Sequence, residues 1–274
     1  MFDFLFANRE PKAETHYYPP FETIEVDIHA HLLPNVDDGA PNMDVSVALI
    51  SEMVDLGFRK LIATPHISDL YPNEPKHLLD GLERLKKQLK REQIDVEMGL
   101  AAEYMINDVF EQKVRNNEPL LTLPDNYILV ELSHMSEPVN IYQVFELLSE
   151  RGYKPVLAHP ERYRYYNNNL MHYQKLINYG CHLQVNVLSL DGYYGRMVSD
   201  CAWALINNYM IEFIGSDFHH QRHISTLRNH LSAKTQHILN NYSFQNKKWA
   251  GRELGIRRWV FTMFFSAFFT IYDV

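Results

Sequence analysis

This 274-residue chain is poor in cysteine and in basic charge, and it lacks a hydrophobic run long enough to cross a membrane. Its two cysteines, Cys181 and Cys201, are too few for a disulfide framework and are not spaced as ligands of a cysteine zinc site. We expect them to be buried thiols of a reducing cytoplasm. The excess of 34 acidic over 26 basic residues, a formal net charge of -8, argues against nucleic acid as the main partner. A protein or small-molecule substrate fits this charge better.

An uncharged run of fourteen residues covers 259–272. A membrane-spanning helix needs about 20 apolar residues, so we predict no transmembrane span. We expect the run to form a terminal helix that packs on the core. The alternative is a peripheral membrane or partner-binding segment, which Arg252, Arg257 and Arg258 just before it would favour. The first residues of the chain lack a basic region, so we predict no signal peptide and a cytoplasmic location.

Segments typical of strands and of helices alternate along the chain. For example, 60–63 has the pattern of a strand, and 75–92 places leucines on one face of a helix. Seven such units predict an α/β fold with parallel strands, right-handed crossovers and a closed or nearly closed barrel. Barrels commonly reach this length as one domain. We therefore expect a single domain over 1–274, with a core at about 23–240 and an apolar tail at 249–274 whose role stays open.

Polar side chains recur at the ends of the predicted strands. They are His29, His66, Glu103, His134, His159, Asn186 and Asp217. The steps between them are 37, 37, 31, 25, 27 and 31 positions, close to the roughly 30 residues of a βαβ unit. Because the C-terminal ends of barrel strands meet at one mouth, where catalytic residues lie, we expect these side chains to converge.

Two pairs of residues with a single residue between them strengthen this interpretation. His29 and His31 share a face if the strand is extended, so both imidazoles can reach one ion. Asp217 and His219 repeat the same spacing near the last predicted strand. A lone strand-end histidine is more often an ordinary hydrogen-bonded residue, but the whole set predicts a cluster of divalent metals. The sequence therefore predicts a metal-dependent hydrolase.

Seven short motifs follow one another in order. They are Asp27-Ile28-His29-Ala30-His31, Asp37-Asp38-Gly39-Ala40, Ala63-Thr64-Pro65-His66, Ala102-Glu103-Tyr104, Glu131-Leu132-Ser133-His134, Leu157-Ala158-His159-Pro160-Glu161-Arg162-Tyr163 and Gly215-Ser216-Asp217-Phe218-His219. The series resembles the PHP (polymerase and histidinol phosphatase) superfamily, specifically its bacterial manganese-dependent protein tyrosine phosphatases of the CpsB/CapC/YwqE type. The resemblance covers about residues 24–240. Phe218 departs from it, since a small residue is expected there.

The resemblance implies a distorted (β/α)7, TIM-like barrel of the PHP fold that holds three divalent metal ions. The implied ligands are His29, His31, Glu103 and Asp217 for the first ion, Glu103, His134 and His159 for the second, and Asp37, His66 and His219 for the third. Manganese is implied by the family alone, because imidazole and carboxylate ligands also suit iron and zinc.

The resemblance further implies hydrolysis of phosphotyrosine on a partner protein, the C-terminal tyrosine cluster of a bacterial tyrosine autokinase that controls capsular and exopolysaccharide synthesis. Closely spaced divalent ions would lower the pKa of a shared water, so that hydroxide attacks phosphorus. A cysteine nucleophile is not expected, because neither cysteine is followed five residues later by arginine: Asn186 and Ile206 stand there.

Arg162 is the leading candidate for holding the phosphate, because a guanidinium binds phosphate with two parallel hydrogen bonds. Arg222 is a second candidate. Asp217 or Glu103 could move a proton to the leaving phenolate, although ligation and acid catalysis compete for the same lone pairs. Next to Arg162 lies an aromatic cluster that either packs against the substrate ring or only covers a loop. It consists of Tyr163, Tyr165 and Tyr166.

Two other functions stay open at this point. One is a small-molecule phosphatase of the same superfamily, such as one that acts on histidinol phosphate. The other is a non-catalytic metal-binding scaffold for polysaccharide export. A complete ligand set argues against the scaffold, since a degenerate protein would be expected to lose ligands.

Overall fold

The computed structural model describes residues 19–166 and 169–251. The uncharged run at 259–272, the three arginines before it and the first 18 residues lie outside these ranges, so the predictions made for them stay predictions. Within the described ranges, no helix combines the length and the apolar character that a membrane crossing requires.

Strands and helices alternate along the described chain. The strands are β1 (Val26–Ala30), β2 (Lys60–Ala63), β3 (His66–Ile67), β4 (Glu97–Leu100), β5 (Glu103–Met105), β6 (Tyr127–Glu131), β7 (Lys154–Ala158), β8 (His182–Asn186) and β9 (Phe213–Gly215). The α-helices are α1 (Met43–Asp55), α2 (Pro75–Arg91), α3 (Asp108–Arg115), α4 (Ile141–Glu150), α5 (Leu170–Asn178), α6 (Val187–Leu190), α7 (Arg196–Asn207), α8 (Gln221–His230) and α9 (Ala233–Asn241). Short 3-10 turns occupy Pro124–Asn126, Pro160–Arg162, Arg164–Tyr166 and Gln245–Trp249.

The strands form two parallel sheets, with the orders β1-β2-β4 and β3-β5-β6-β7-β8-β9. Only two residues separate β2 from β3, and two separate β4 from β5, so each of these pairs runs on as one interrupted strand. Pro65 stands in the first interruption, where it has no N–H to give to a ladder. The described strands thus occupy seven positions in sequence order.

The barrel closes between its first and last strands. The Asp217 N–H donates to the His29 carbonyl at 2.7 Å, and the His31 N–H donates to the Phe218 carbonyl at 3.0 Å. Ala30 and Phe218 pair in parallel at the same place. These contacts confirm the predicted (β/α)7 barrel. Phe218 is fully buried at this seam, which accounts for a large residue in its motif.

Local sequence signals explain where α1 begins and ends. The Asn42 side chain accepts a hydrogen bond from the Val45 N–H, so Asn42 is the N-cap residue. Asp44 lies in the first turn, where its charge favours the helix dipole. Gly57 follows the helix with φ +106°, a conformation that favours glycine.

An apolar plug fills the barrel end opposite the mouth. Trp249 is fully buried, and its ring stacks on Phe213 at a centroid distance of 5.0 Å and meets the edge of Tyr127 at 5.4 Å. Phe213 and Tyr127 begin their strands, so the contact lies at the N-terminal ends. The indole N–H donates to the Asp125 carboxylate at 3.0 Å. Packed residues therefore extend past the predicted core limit of about 240.

We expect Trp249→Ala to lower the free energy of unfolding by about 3–5 kcal/mol, because it empties a large buried volume. Urea unfolding followed by circular dichroism measures this value. Trp203→Ala is the control and should cost less, since Trp203 is only partly buried. An equal loss for both variants would contradict a special role of the plug.

Candidate metal centre

The predicted strand-end side chains meet at the C-terminal mouth. The Nε2 atoms of His29 and His31 lie 3.4 Å apart, as expected for alternate residues that face the same way. His29 Nε2 is 3.2 Å from Glu103 Oε2 and 3.4 Å from Asp217 Oδ1. All four side chains are buried. Atoms that can bind a metal are therefore in contact across the closing seam of the barrel.

Among the described residues, four groups of donor atoms lie close enough together to hold an ion. They are His29, His31 and Asp217; His29, Glu103 and His159; His66, Glu103 and Glu131; and His31, Asp38, His66 and His219. Four residues belong to more than one group, so the groups form one continuous centre. Mixed imidazole and carboxylate donors suit manganese, iron or zinc.

Asp217 reaches the centre from a turn and not from a strand. Since β9 ends at Gly215, the prediction that Asp217 and His219 share a strand face is wrong. The Asp217 backbone instead has φ 53°, in the left-handed region. Its Oδ1 faces the imidazoles of His29, His31 and His219 at 3.4 to 3.5 Å. The strained turn thus brings both side chains to the mouth by another route.

His159 also has a left-handed backbone, with φ 37° and ψ 53°. It follows β7 and precedes the 3-10 turn that begins at Pro160. Its Nε2 lies 3.0 Å from Glu103 Oε1, and its Nδ1 has no hydrogen-bond partner in the described chain. Such a conformation costs about 1–3 kcal/mol in a non-glycine residue and is typical of functional sites.

Two neighbouring aspartates, Asp37 and Asp38, lie near the third predicted metal site and make different contacts there. Asp37 Oδ2 accepts hydrogen bonds from His31 Nδ1 at 2.9 Å and from the His66 N–H at 3.1 Å, and its Oδ1 accepts from the Gly39 N–H. Asp38 Oδ1 lies 3.5 Å from Nε2 of both His66 and His219. The structure therefore gives Asp38 the place expected for Asp37, while Asp37 orients His31.

The motif at the end of β6 supplies a different candidate metal ligand from the one predicted. His134 is exposed and belongs to none of the donor groups found in the described residues; its ring lies 5.9 Å from that of His159, centroid to centroid. Glu131, the last residue of β6, is buried with Oε1 3.0 Å from His66 Nδ1. The sequence reasoning missed Glu131. The position of Glu131 at the end of a predicted strand could have indicated it, but His134, three residues later, was predicted as the ligand instead.

Arg162 lies at the edge of the centre. Its Nη1 donates to Asp217 Oδ2 at 2.9 Å, and a quarter of its side chain is exposed. Its guanidinium lies over the Tyr194 ring, 4.6 Å from the centroid. One hydrogen bond to Asp217 leaves four of its N–H donors, enough to bind a phosphate.

Arg222 and the aromatic cluster have other surroundings. Arg222 is exposed on α8. The Tyr163 hydroxyl accepts from the Leu132 N–H at 2.9 Å, and the Tyr165 hydroxyl donates to the Ser133 carbonyl at 3.0 Å. These two tyrosines hold the loop after β6. The aromatic residue over the guanidinium of Arg162 is Tyr194, which the sequence reasoning did not single out.

The charges of the centre are unusual for a buried site. Burial raises the pKa of the Glu103 carboxyl, but His29 and His66 lower it well below its usual range. Burial likewise raises the pKa of the Asp217 carboxyl, but His29 and His31 lower it well below its usual range. Burial lowers the pKa of His29, but Glu103 and Asp217 raise it to about 9. Buried carboxylates thus need nearby positive charge.

Divalent cations fit this charge pattern. Four carboxylates face five imidazoles in the donor groups, so neutral imidazoles would leave a formal charge of about -4 to be balanced. Glu103 Oε2 and His66 Nδ1 are buried 3.2 Å from each other, yet neither forms a hydrogen bond of good geometry within the described chain. An unsatisfied buried polar atom costs free energy, and metal ligation would remove that cost. The residues present therefore fit a cluster of metal ions.

The fold and the site define a PHP-type barrel with a metal-binding mouth. The chain belongs to the family described as capsular polysaccharide synthesis, CpsB/CapC, whose model matches residues 25–243. This confirms the resemblance found in the sequence.

Two curated relatives and one solved structure illustrate the similarity. The tyrosine-protein phosphatase YwqE of Bacillus subtilis (strain 168) is 35% identical over 196 residues, which are 71% of this chain and 77% of the relative. The tyrosine-protein phosphatase CpsB of Streptococcus pneumoniae is 26% identical over 201 residues, 71% of this chain and 82% of the relative. A solved structure from work on YwqE and CpsB, described as unique metal-dependent tyrosine phosphatases, superposes with a TM-score of 0.69. It is 31% identical and covers 80% of this chain and 92% of that one.

Proposed function

We propose that this chain is a metal-dependent protein tyrosine phosphatase that acts on a bacterial tyrosine autokinase of capsular and exopolysaccharide synthesis. The observation that carries the proposal is the contact between Arg162 and Asp217, which puts a phosphate-binding guanidinium at the edge of a metal centre. The names of the relatives support the same reaction. The physiological partner would be a phosphotyrosine-bearing segment of that kinase, met in the cytoplasm.

Nine residues of the donor groups would hold the metal ions. They are His29, His31, Asp38, His66, Glu103, Glu131, His159, Asp217 and His219. We propose three ions, manganese in the cell. Bound divalent ions supply Lewis acidity for the phosphoryl oxygens and lower the pKa of a water so that it can attack phosphorus.

The protein residues around the centre bind and orient the substrate. Arg162 holds the phosphoryl group with the donors that Asp217 leaves unused. Tyr194 fixes the guanidinium plane, and its half-buried ring offers a surface beside the phosphate for the substrate phenyl ring. Asp217 and Glu103 act as acceptors, because their pKa values lie well below the usual range. We therefore assign both carboxylates to ligation and not to protonation of the leaving phenolate.

The substrate class is tested with the purified manganese-loaded protein. We expect hydrolysis of a phosphotyrosine peptide, and little of a phosphoserine peptide or of histidinol phosphate. Activity confined to histidinol phosphate would favour the small-molecule phosphatase. Stoichiometric metal without activity on any phosphomonoester would favour the scaffold.

Metal removal should lower stability, because ions that bind only the folded chain add RT ln(1 + [L]/Kd) to its free energy of unfolding. At a free metal concentration 100 times the Kd this amounts to about 2.7 kcal/mol. We expect EDTA to lower the melting temperature and excess manganese to restore it, as measured by differential scanning fluorimetry. Identical melting curves with and without EDTA, for protein shown to lose its metal, would contradict a metal centre that links the strands.

A further inference from the structure

β8 differs from the other strands that surround the mouth. It lies between β7 and β9, which are followed closely by the donors His159 and Asp217, yet none of the donor groups in the described residues includes a side chain of β8 or of α6 directly after it. Gln184 is its middle residue and Asn186 its last residue, at the mouth, and both are fully buried. Alternate residues of a strand face the same side, so the Gln184 and Asn186 side chains lie next to each other on one face of β8.

These two amides connect two candidate ligands at the closing seam of the barrel, His29 and Asp217. Gln184 Oε1 lies 2.7 Å from His29 Nδ1, and Gln184 Nε2 lies 2.9 Å from Asn186 Oδ1. Asn186 Nδ2 lies 2.7 Å from Asp217 Oδ2. We call the two side chains Gln184 and Asn186 the amide bridge.

The hydrogen bonds of the amide bridge can run in one direction only. An ionised carboxylate only accepts, so Asn186 must donate through Nδ2 to Asp217. Asn186 Oδ1 then accepts from Gln184 Nε2, which leaves Gln184 Oε1 to accept from His29. His29 Nδ1 must therefore carry a proton, so a metal ion would bind at its Nε2, which faces Glu103 and Asp217.

At the other end of the amide bridge, the two carboxylate oxygens of Asp217 have different contacts. Oδ2 accepts from Asn186 and from Arg162, whereas Oδ1 faces the imidazoles. The Asn186 backbone is itself fixed, because its N–H donates to Glu161 Oε1 at 3.0 Å. One oxygen is thus held in place so that the other points into the centre.

Gly215 shows how closely the barrel packs around the bridge. A Cβ at this position would lie 2.7 Å from Gln184 Nε2 and 2.8 Å from His29 Cβ, closer than real atoms approach. Gly215 pairs with Asn186 in the β8–β9 register. Any side chain at position 215 would therefore displace Gln184 or His29.

We propose that Gln184 and Asn186 are positioning residues of the metal centre: they set the tautomer of His29 and aim Asp217, and so determine how tightly the centre retains metal. The inference rests on the metal centre of the proposed function. It adds two residues of β8 that bind neither metal nor substrate themselves.

The test compares metal binding by the wild-type chain, Gln184→Met and Gln174→Met. Methionine matches glutamine in size but cannot bridge. Gln174 is the control because its side chain makes a similar bond to Asn178, at 3.0 Å, on an exposed helix face. We expect the manganese Kd, measured by calorimetry on metal-free protein, to rise about 10- to 100-fold in Gln184→Met and to stay unchanged in Gln174→Met. A folded Gln184→Met with the wild-type Kd would overturn the proposal.

A second measurement tests the hydrogen bond between His29 and Gln184 directly in the wild-type chain. Proton–nitrogen-15 spectra of the zinc-loaded protein should show the His29 Nδ1 proton shifted downfield and protected from exchange with water, as expected for a proton donated to Gln184 Oε1. This result remains decisive if Gln184→Met fails to fold, and an Nδ1 proton without that shift and protection would overturn the proposal. Both readouts concern metal binding. A chain that binds metal as expected but hydrolyses no phosphotyrosine would contradict the proposed function and leave the amide bridge intact.

Discussion

His159→Ala is expected to reduce phosphotyrosine hydrolysis about 1,000-fold. The reason is that metal ions supply several kcal/mol of charge stabilisation in the transition state, and each 1.36 kcal/mol corresponds to a factor of ten in rate. His159 is buried, faces Glu103 and has a left-handed backbone, so alanine would remove a metal-binding nitrogen from the centre. The measurement is kcat/KM on a phosphotyrosine peptide at saturating manganese.

His237→Ala is the matched control for this variant, because His237 is exposed on α9, away from the donor groups. It should keep the activity of the wild-type chain. Circular dichroism should show that His159→Ala retains its secondary structure, since His159 lies outside the strands and helices. Full activity in a folded, metal-loaded His159→Ala would mean that the centre is wrongly assigned.

Arg162→Ala is expected to lower kcat/KM about 100- to 1,000-fold, the usual loss when one preorganised donor to a reacting group is removed. Arg162→Lys should recover part of the loss, because lysine keeps the charge but not the planar fork that binds two oxygens. The competitive inhibition constant of inorganic phosphate should rise in parallel. This second measurement separates phosphate binding from a change in turnover alone.

Arg164→Ala and Arg222→Ala serve as comparisons for Arg162. Arg164 is exposed two residues away, so its loss should have little effect. Arg222 was the second candidate for phosphate binding, and its exposed position leads us to expect a change of less than about 10-fold, worth under 1.4 kcal/mol. A loss of activity in Arg222→Ala as large as in Arg162→Ala would indicate that the phosphate binds closer to α8.

Most of the barrel could be predicted from the chain, because its signals are local. The limits of β2 agree with the predicted 60–63, and α2 begins at the predicted Pro75. Strand and helix periodicities, together with the spacing of one polar residue per unit, were enough to predict parallel pairing and a common mouth. The histidines at 29, 31, 66, 159 and 219 follow from the same pattern.

The assignment of neighbouring carboxylates could not be made from the chain. Asp37 and Asp38 are adjacent and chemically identical, and only the turn between His31 and His66 decides which one faces His219. Glu131 and His134 both lie near the end of β6, but the strand ends at the glutamate, and the histidine is exposed in the loop beyond it. In each pair, a difference of one to three residues changes the direction of the side chain.

The sequence by itself determined the fold class, the mouth and the residue types that gather there, since these depend on periodicity and on spacing along the chain. Only the tertiary structure decided the direction of each donor. Left-handed turns at His159 and Asp217, Tyr194 over Arg162 and the amide bridge on β8 depend on contacts between residues far apart in sequence. Such contacts leave no periodic trace in a single chain, because a polar side chain looks the same in sequence whether it binds a metal or holds the residue that does.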